Sequence, residues 1–200
     1  MDTVNVGILA LQGAFREHRR AFGRLGVDAS EVRLPRDLSG LHALVIPGGE
    51  STTMAKLMRA YELDEAITVF AREGGTIWGT CAGAIAVATE IEDRPEQPRL
   101  GLLDMRVARN AYGRQVASFE ADLDVSGLGD PFRAVFIRAP RILQVGADVE
   151  VLAAYREDPV MVASGRLMAT VFHPELSNDD RIHALFLERA AAARPWTAPR

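Results

Sequence analysis

The residues best suited to chemistry surround the single cysteine of this 200-residue chain. Cys81 stands in segment 79–83, Gly-Thr-Cys-Ala-Gly, directly after the apolar run 76–78. Glycine-x-nucleophile-x-glycine between a strand and a helix is typical of a nucleophile elbow, a tight turn that requires small neighbours. The turn points the nucleophile at the N-terminus of the next helix, whose partial positive charge favours a thiolate. The motif therefore predicts a nucleophilic cysteine.

A general base for this nucleophile is expected at His173. It follows the apolar run 168–172, and parallel sheets place functional groups where strands end. Glu175 lies two residues later, a spacing that puts both side chains on one side of an extended chain, and Pro174 stiffens the pair. The other histidines fall in predicted amphipathic helices or a polar connection: His18, His183 and His42. Cysteine chemistry needs a base and a group that orients it, so we predict a triad of Cys81, His173 and Glu175.

The third element is segment 48–51, Gly-Gly-Glu-Ser, which follows a strand and opens a helix. Glycines allow close approach of the backbone to a ligand and expose N–H groups. The N–H groups of Gly49 and Ala82 are the natural pair for an oxyanion hole. Ser51 is expected to cap the helix. A plain strand-to-helix turn remains open on these residues alone, and a Walker loop is excluded because its lysine is absent.

Composition narrows the function classes. The net charge of −4 gives no general attraction to nucleic acid or to an anionic membrane. One cysteine excludes an internal disulfide and a cysteine-based metal cage within one chain, and a free thiol fits a reducing cytoplasm. The first residues lack the pattern of a signal peptide. We expect a single domain over residues 1–192 and a loose tail over 193–200, where two prolines occur.

Hydrophobic patterning predicts alternating strands and helices. Continuous apolar strands separated by helices favour an α/β layered domain with a mainly parallel central sheet, helices on both faces and extra antiparallel strands in the second half. The expected strands are 4–9, 29–32, 43–46, 76–78, 105–108, 118–123, 132–137, 150–155, 160–163 and 167–172. The expected helices are 15–25, 51–61, 64–72, 82–89 and 180–192, with a polar loop over 92–99.

The three motifs in this order resemble class I (triad) glutamine amidotransferases, which implies a flavodoxin-like layered fold. Further segments are similar to the glutaminase-subunit family of pyridoxal 5′-phosphate synthase, and the similarity runs from Val4 to about Glu188. These segments are 11–14 with Glu17-His18, 50–54, Arg109-Asn110 with Gly113-Arg114-Gln115, 118–121 and 136–140.

The resemblance implies hydrolysis of L-glutamine to L-glutamate and ammonia, with Cys81 attacking the side-chain amide and His173 and Glu175 assisting. It implies that glutamine is held by these residues: Gly49, Glu50, Ser51, Arg109, Ile137 and Arg138. No cofactor or metal is implied. Ammonia would pass to a synthase subunit in a large complex whose core is decorated by glutaminase subunits.

Members of that family are nearly silent until docked, and the sequence suggests a physical reason. Gly48-Gly49 can flip a peptide unit at low energy because glycine tolerates positive φ. We therefore hypothesise that the oxyanion hole is misassembled in the free subunit and that docking sets it. Gln12, in the first turn after a strand, would lie near this loop and help to sense the partner, or it is an ordinary turn residue.

Three alternatives stay open. One is the glutaminase subunit of another amidotransferase, such as imidazole glycerol phosphate synthase, which shares the elbow and the triad. Another is a cysteine peptidase or redox-sensing protein of similar fold, in which the His-x-Glu pair and Gly-Gly-Glu-Ser would not be expected together. The last is a catalytically dead binding module, against which the intact triad argues.

Overall fold

A seven-stranded sheet forms the centre of the computed structural model, which describes residues 4–109 and 118–197. Its strand order is β10-β11-β12-β4-β3-β1-β2. The strands are β1 (Val6–Leu9), β2 (Ser30–Val32), β3 (Ala43–Ile46), β4 (Thr76–Thr80), β5 (Ala88–Ile91), β6 (Leu103–Ala108), β7 (Ser118–Leu123), β8 (Phe132–Ile137), β9 (Arg141–Val145), β10 (Glu150–Tyr155), β11 (Asp158–Ser164) and β12 (Leu167–Thr170). The helices are α1 (Phe15–Arg24), α2 (Ser51–Ala60), α3 (Leu63–Arg72), α4 (Ala82–Val87) and α5 (Arg181–Ala190), with short 3-10 turns at Pro35–Leu38 and Pro174–Leu176.

The predicted mainly parallel sheet is confirmed. Strands β2, β1, β3, β4 and β12 run parallel as neighbours, and β11 and β10 extend the sheet antiparallel beyond β12. Every residue of β1, β3 and β4 is buried, although alternate side chains of a strand face opposite sides. Both faces of the central strands are therefore covered, as expected when helices connect parallel strands.

The second half of the chain adds two small sheets, one of β5, β6 and β9 and one of β7 and β8. Here the sequence-based boundaries need correction. The helix expected over 82–89 ends at Val87, and Ala88–Ile91 pairs with β6 instead, because hydrogen bonding to a neighbouring strand overrides weak helix propensity in Thr89 and Ile91. Arg141–Val145 was not predicted and pairs antiparallel with β6.

Residues 193–197 belong to the tail that was expected to be loose, but the structure holds them in place. The backbone N–H of Trp196 donates to the carbonyl of Leu41, and its carbonyl accepts from Gly40. The indole packs edge-on against Phe70 at 5.9 Å, and its N–H donates to Glu73. The prediction was wrong for residues 193–197, because one large aromatic side chain docks on the core.

Buried apolar side chains from both halves of the described chain form one continuous cluster. None of the described helices has both the length and the apolar character needed to cross a lipid bilayer.

The topology brings the three predicted motifs together. Strands β3, β4 and β12 are parallel neighbours, with Ile46 opposite Gly79 and Thr80 opposite Thr170. Their carboxyl ends therefore lie side by side, and each motif begins within three residues of one of those ends.

Candidate active site

Cys81 occupies a strained elbow between β4 and α4. Its backbone has φ 48° and ψ −102°, a combination that residues other than glycine rarely adopt. Its N–H donates to the carbonyl of Thr170 at 2.8 Å, which ties the elbow to β12. A Cβ on Gly83 would lie 1.9 Å from the carbonyl oxygen of Ile46, and one on Gly79 would lie 2.4 Å from that of Gly83. The flanking glycines are thus required because the backbone of α4 runs against both strands.

The His173–Glu175 contact exists, although its backbone geometry differs from the prediction. β12 ends at Thr170, and Glu175 belongs to the 3-10 turn Pro174–Leu176 rather than to an extended chain. The turn brings Nδ1 of His173 to 2.7 Å from Oε1 of Glu175. The backbone N–H of His173 also donates to the carbonyl of Val135 in β8, so the sheet of β7 and β8 holds the main chain at His173.

The electrostatics of this pair favour the charged forms of both groups. Burial acts to lower the pKa of His173, but hydrogen bonds to Cys81 and Glu175 and their negative charges outweigh it and raise the pKa to about 10. Burial acts to raise the pKa of Glu175, but His18 and the hydrogen bond from His173 outweigh it and lower the pKa. At neutral pH the site therefore combines an imidazolium next to the sulfur of Cys81 with an ionised carboxylate.

The Gly48-Gly49 loop packs directly against these groups. A Cβ on Gly48 would lie 2.5 Å from Cε1 of His173 and 3.3 Å from Cβ of Cys81. The carbonyl of Gly48 accepts from the N–H of Ala14 at 3.1 Å. Gly13, at φ +87°, permits this approach, because a Cβ there would lie 1.8 Å from the same carbonyl oxygen. A flip of the peptide unit between Gly48 and Gly49 would break the hydrogen bond to Ala14. The misassembly of the oxyanion hole in the free subunit stays a prediction.

Glu50, and not Ser51, caps helix α2. Its carboxylate accepts from the N–H groups of Thr52 and Thr53 at 3.1 and 2.7 Å and from the Thr53 hydroxyl. The hydrogen bonds from Thr53, led by that of its hydroxyl, lower the pKa of Glu50 to about 2. The prediction of Ser51 as cap was wrong because the longer carboxylate side chain reaches two N–H groups at once, and Ser51 becomes the first residue of the helix.

Gln12 clamps the backbone of Glu50 from the opposite side. Its Oε1 accepts from the N–H of Glu50 at 3.1 Å, and its Nε2 donates to the Glu50 carbonyl at 3.3 Å. A Cβ on Gly49 would lie 2.4 Å from the same amide, so the clamp needs glycine there. Gln12 therefore lies against the loop as predicted, and its role in sensing a partner stays a hypothesis.

A cavity of about 500 Å³ opens in front of Cys81. Besides Ile85 and Pro140, its lining consists of residues that the sequence analysis selected: Gly49, Glu50, Ser51, Cys81, Ala82, Arg109, Ile137, Arg138 and His173. Glu175 lies behind His173 and is buried. The Cys81 thiol lies 3.9 Å from the carbonyl of Ile137, and Arg138 follows with φ 45°, so the end of β8 forms one wall beside the nucleophile.

Arg109 lies at the end of β6 and lines the cavity. Its guanidinium is held by a residue that was not predicted from the sequence. Its Nη1 donates to Oε1 of Gln97 at 2.6 Å and to the hydroxyl of Thr52 at 3.2 Å, and its Nη2 lies 4.0 Å from Glu50. Gln97 belongs to the predicted polar loop over 92–99, yet it is only 6% exposed. No local pattern marks it, because the contact depends on how that loop folds against Arg109. The motif residues Asn110, Gly113, Arg114 and Gln115 lie outside the described residues.

A second missed group lies behind Glu175. His18 of α1 and His183 of α5 are completely buried and contact each other, with Nδ1 of His18 3.0 Å from Nε2 of His183. Nε2 of His18 lies 3.4 Å from Oε2 of Glu175. The available sequence signal was a histidine on the apolar face of each amphipathic helix.

The chain is similar to known proteins in both sequence and structure. The family model described as "SNO glutamine amidotransferase family" matches residues 8–192. Several relatives bear the name "Pyridoxal 5'-phosphate synthase subunit PdxT". One, from Thermus thermophilus, is 58% identical over 92% of this chain and 97% of its own, and one from Deinococcus radiodurans is 53% identical over 92% and 96%. A crystal structure of a glutamine amidotransferase superposes with a TM-score of 0.91 at 54% identity, covering 94% of this chain and 99% of that one.

Proposed function

Since this chain belongs to the SNO glutamine amidotransferase family, we propose that it is the glutaminase subunit of pyridoxal 5′-phosphate synthase. In this function it hydrolyses L-glutamine to L-glutamate and ammonia. The observation that carries the proposal is the convergence of Cys81, His173 and Glu175 behind a cavity lined by the residues expected to hold glutamine. The relatives named PdxT cover almost the full chain, which supports this subunit over others of the same superfamily.

Acylation begins with the Cys81 thiolate. Its sulfur attacks the side-chain amide carbon of glutamine and forms a tetrahedral intermediate. The N–H groups of Gly49 and Ala82 are proposed to stabilise the oxyanion. The His173 imidazolium donates its proton to the amide nitrogen, the carbon–nitrogen bond breaks, and ammonia leaves a glutamyl thioester.

Deacylation reverses the role of His173. The now neutral ring takes a proton from water, the hydroxide attacks the thioester carbon, and the carbon–sulfur bond breaks to release glutamate and the thiolate. Glu175 accepts from Nδ1 throughout, which keeps the other ring nitrogen directed at the reacting atoms. No metal or cofactor is required for either half-reaction.

Substrate recognition follows from the charges around the cavity. Glutamine carries an α-carboxylate and an α-ammonium group, and arginine pairs with carboxylates through a planar fork. We propose that Arg109 and Arg138, which line the cavity, receive the carboxylate and that Glu50, whose pKa of about 2 keeps it ionised, receives the ammonium. The backbone of Gly49, Ser51 and Ile137 completes the proposed binding site.

The ammonia passes to the synthase subunit of the complex, which incorporates it into pyridoxal 5′-phosphate. We place the reaction in the cytoplasm, where a reducing environment keeps Cys81 as a free thiol. The glutaminase of imidazole glycerol phosphate synthase is disfavoured by the SNO family match. The peptidase, redox and binding-module alternatives are disfavoured because the base, the orienting carboxylate and the arginine-lined cavity occur together.

The test is ammonia release from glutamine by the purified chain, alone and with the synthase subunit, with Cys81→Ala as control. We expect strong stimulation by the synthase subunit and no release by the variant. No release from the wild-type chain with its partner present would overturn the proposal, and activity in Cys81→Ala would remove the assigned nucleophile.

A further inference from the structure

We propose that His18 is a positioning residue for the triad: its Nε2–H holds the second carboxylate oxygen of Glu175, and His183 fixes the tautomer of His18. This inference rests on the proposed function and concerns the same site. It adds buried contacts behind the triad. The series of contacts then runs from Cys81 through His173 and Glu175 to helices α1 and α5.

The first observation is that the two carboxylate oxygens of Glu175 differ in their hydrogen bonding. Oε1 accepts from His173 at 2.7 Å, whereas Oε2 is buried and makes no hydrogen bond of ordinary geometry with the described residues. An ionised oxygen without a donor in a dry interior is destabilised. His18 Nε2 lies 3.4 Å from Oε2 and 3.2 Å from the hydroxyl of Thr80, so both oxygens lie close to the same ring nitrogen.

The second observation fixes where the protons lie. Nδ1 of His183 is buried and, within the described residues, without a hydrogen-bond partner. A bare ring nitrogen tolerates that environment better than an N–H, so His183 carries its proton on Nε2 and donates it to Nδ1 of His18 at 3.0 Å. His18 then carries its own proton on Nε2, facing Glu175.

The third observation is that both rings are completely buried, which favours their neutral forms. Burial lowers the pKa of His18 despite the opposing charge of Glu175, and it lowers that of His183 well below the ordinary value. The other charges acting on His18 are His173, which lowers its pKa, and Glu17, which raises it, and His18 and Arg24 lower the pKa of His183. His173 is the remaining titratable neighbour of Glu175, on the same turn.

The rings are also held rigidly. His183 meets the ring of Trp78 at 5.0 Å and that of Phe22 at 5.0 Å, both edge-on, and His18 meets Trp78 at 5.4 Å. A donor locked in this way holds the carboxylate in one orientation, and that orientation sets the direction of the His173 ring. Glutamine does not contact His18 in this arrangement, so its loss should change kcat and leave KM unchanged.

The experiment compares His18→Gln with His18→Asn in the complex with the synthase subunit. The glutamine amide reaches the position of Nε2 and replaces the donor, whereas the asparagine amide is too short, and both leave a polar amide in the same pocket. We expect kcat within about threefold of wild type for His18→Gln and about tenfold lower for His18→Asn, with KM unchanged in both. Urea unfolding of both variants checks that they are folded.

A second measurement needs neither glutamine nor the partner. The rate of Cys81 alkylation is followed against pH in the free chain. Without a donor at Oε2 the pKa of Glu175 rises, so the acid limb of the alkylation profile should move to higher pH in His18→Asn but not in His18→Gln. Equal profiles and equal kcat in two folded variants would overturn the inference. Loss of glutaminase activity in the wild type would overturn only the proposed function, because the alkylation profile still reports on His18.

Discussion

Replacement of Gln97 by leucine should weaken glutamine binding without slowing the chemical step. The Gln97 side chain accepts from the Arg109 guanidinium at 2.6 Å and is almost completely buried, so the bond is short, charge-assisted and screened from water. Hydrogen bonds to charged groups contribute roughly 1.5–3 kcal/mol. The Thr52 hydroxyl still holds the same nitrogen at 3.2 Å, so the lower value applies.

A loss of about 1.5 kcal/mol corresponds to roughly a tenfold rise in KM, with kcat within about twofold of wild type. The assay is steady-state ammonia release by the complex over a range of glutamine concentrations. A matched control is Gln144→Leu, which removes another glutamine–arginine contact, at 3.4 Å to Arg106 on an exposed surface, and should leave KM unchanged.

An analogue of glutamine without its α-carboxylate makes the test sharper. Its binding does not depend on Arg109, so Gln97→Leu should leave its KM unchanged. An unchanged KM for glutamine in a folded Gln97→Leu variant, or a fall in kcat at constant KM, would refute the role assigned to Arg109 and its support.

Three further predictions concern stability and charge. Gly83→Ala should lower the free energy of unfolding, measured by urea unfolding, by at least about 2 kcal/mol. The new Cβ would lie 1.9 Å from the Ile46 carbonyl oxygen, and displacing that backbone costs free energy. Trp196→Ala should lower it by about 3 kcal/mol, since a buried aromatic anchor is lost. Glu175→Gln should move the pKa of His173 down from about 10, because a negative partner that raises it is removed, and an NMR titration of the ring would measure this. A Gly83→Ala variant as stable as wild type, an unchanged unfolding curve for Trp196→Ala or an unmoved pKa would contradict the respective argument.

The sequence was most informative where one local pattern has one physical solution. Segment 79–83 predicted the elbow because only glycine fits between crossing backbones, and the structure shows the contacts that enforce this. Strands β3, β7, β8 and β10 were predicted to the residue because continuous or alternating apolar runs are bounded by turn residues. The order of motifs along the chain then sufficed to predict their meeting at the ends of parallel strands.

Prediction from the sequence failed where tertiary contacts select one of several arrangements that the local sequence allows. Ser51 is a good cap by type, but Glu50 reaches further and takes the position. Gln97 contacts Arg109 from a loop without a periodic pattern. His18 lies on the apolar face of α1, but that pattern does not reveal that its partner is Glu175. Trp196 is anchored by a backbone exchange with residues 40 and 41, which the composition of the tail cannot reveal.

The candidate site has two parts, which we call the rear and the front. The rear is rigid whereas the front can adjust, and this difference determines which part a partner can move. The rear consists of fully buried rings and a carboxylate, His18, His183 and Glu175, packed on Trp78. The front is a glycine loop whose position depends on the amide of Gln12 and on single backbone hydrogen bonds. Moving the rear would require repacking a dense core, whereas moving the front breaks only a few hydrogen bonds, of which those of Gln12 are exposed. A docking partner that activates the enzyme should therefore act on the oxyanion loop and leave the triad geometry unchanged.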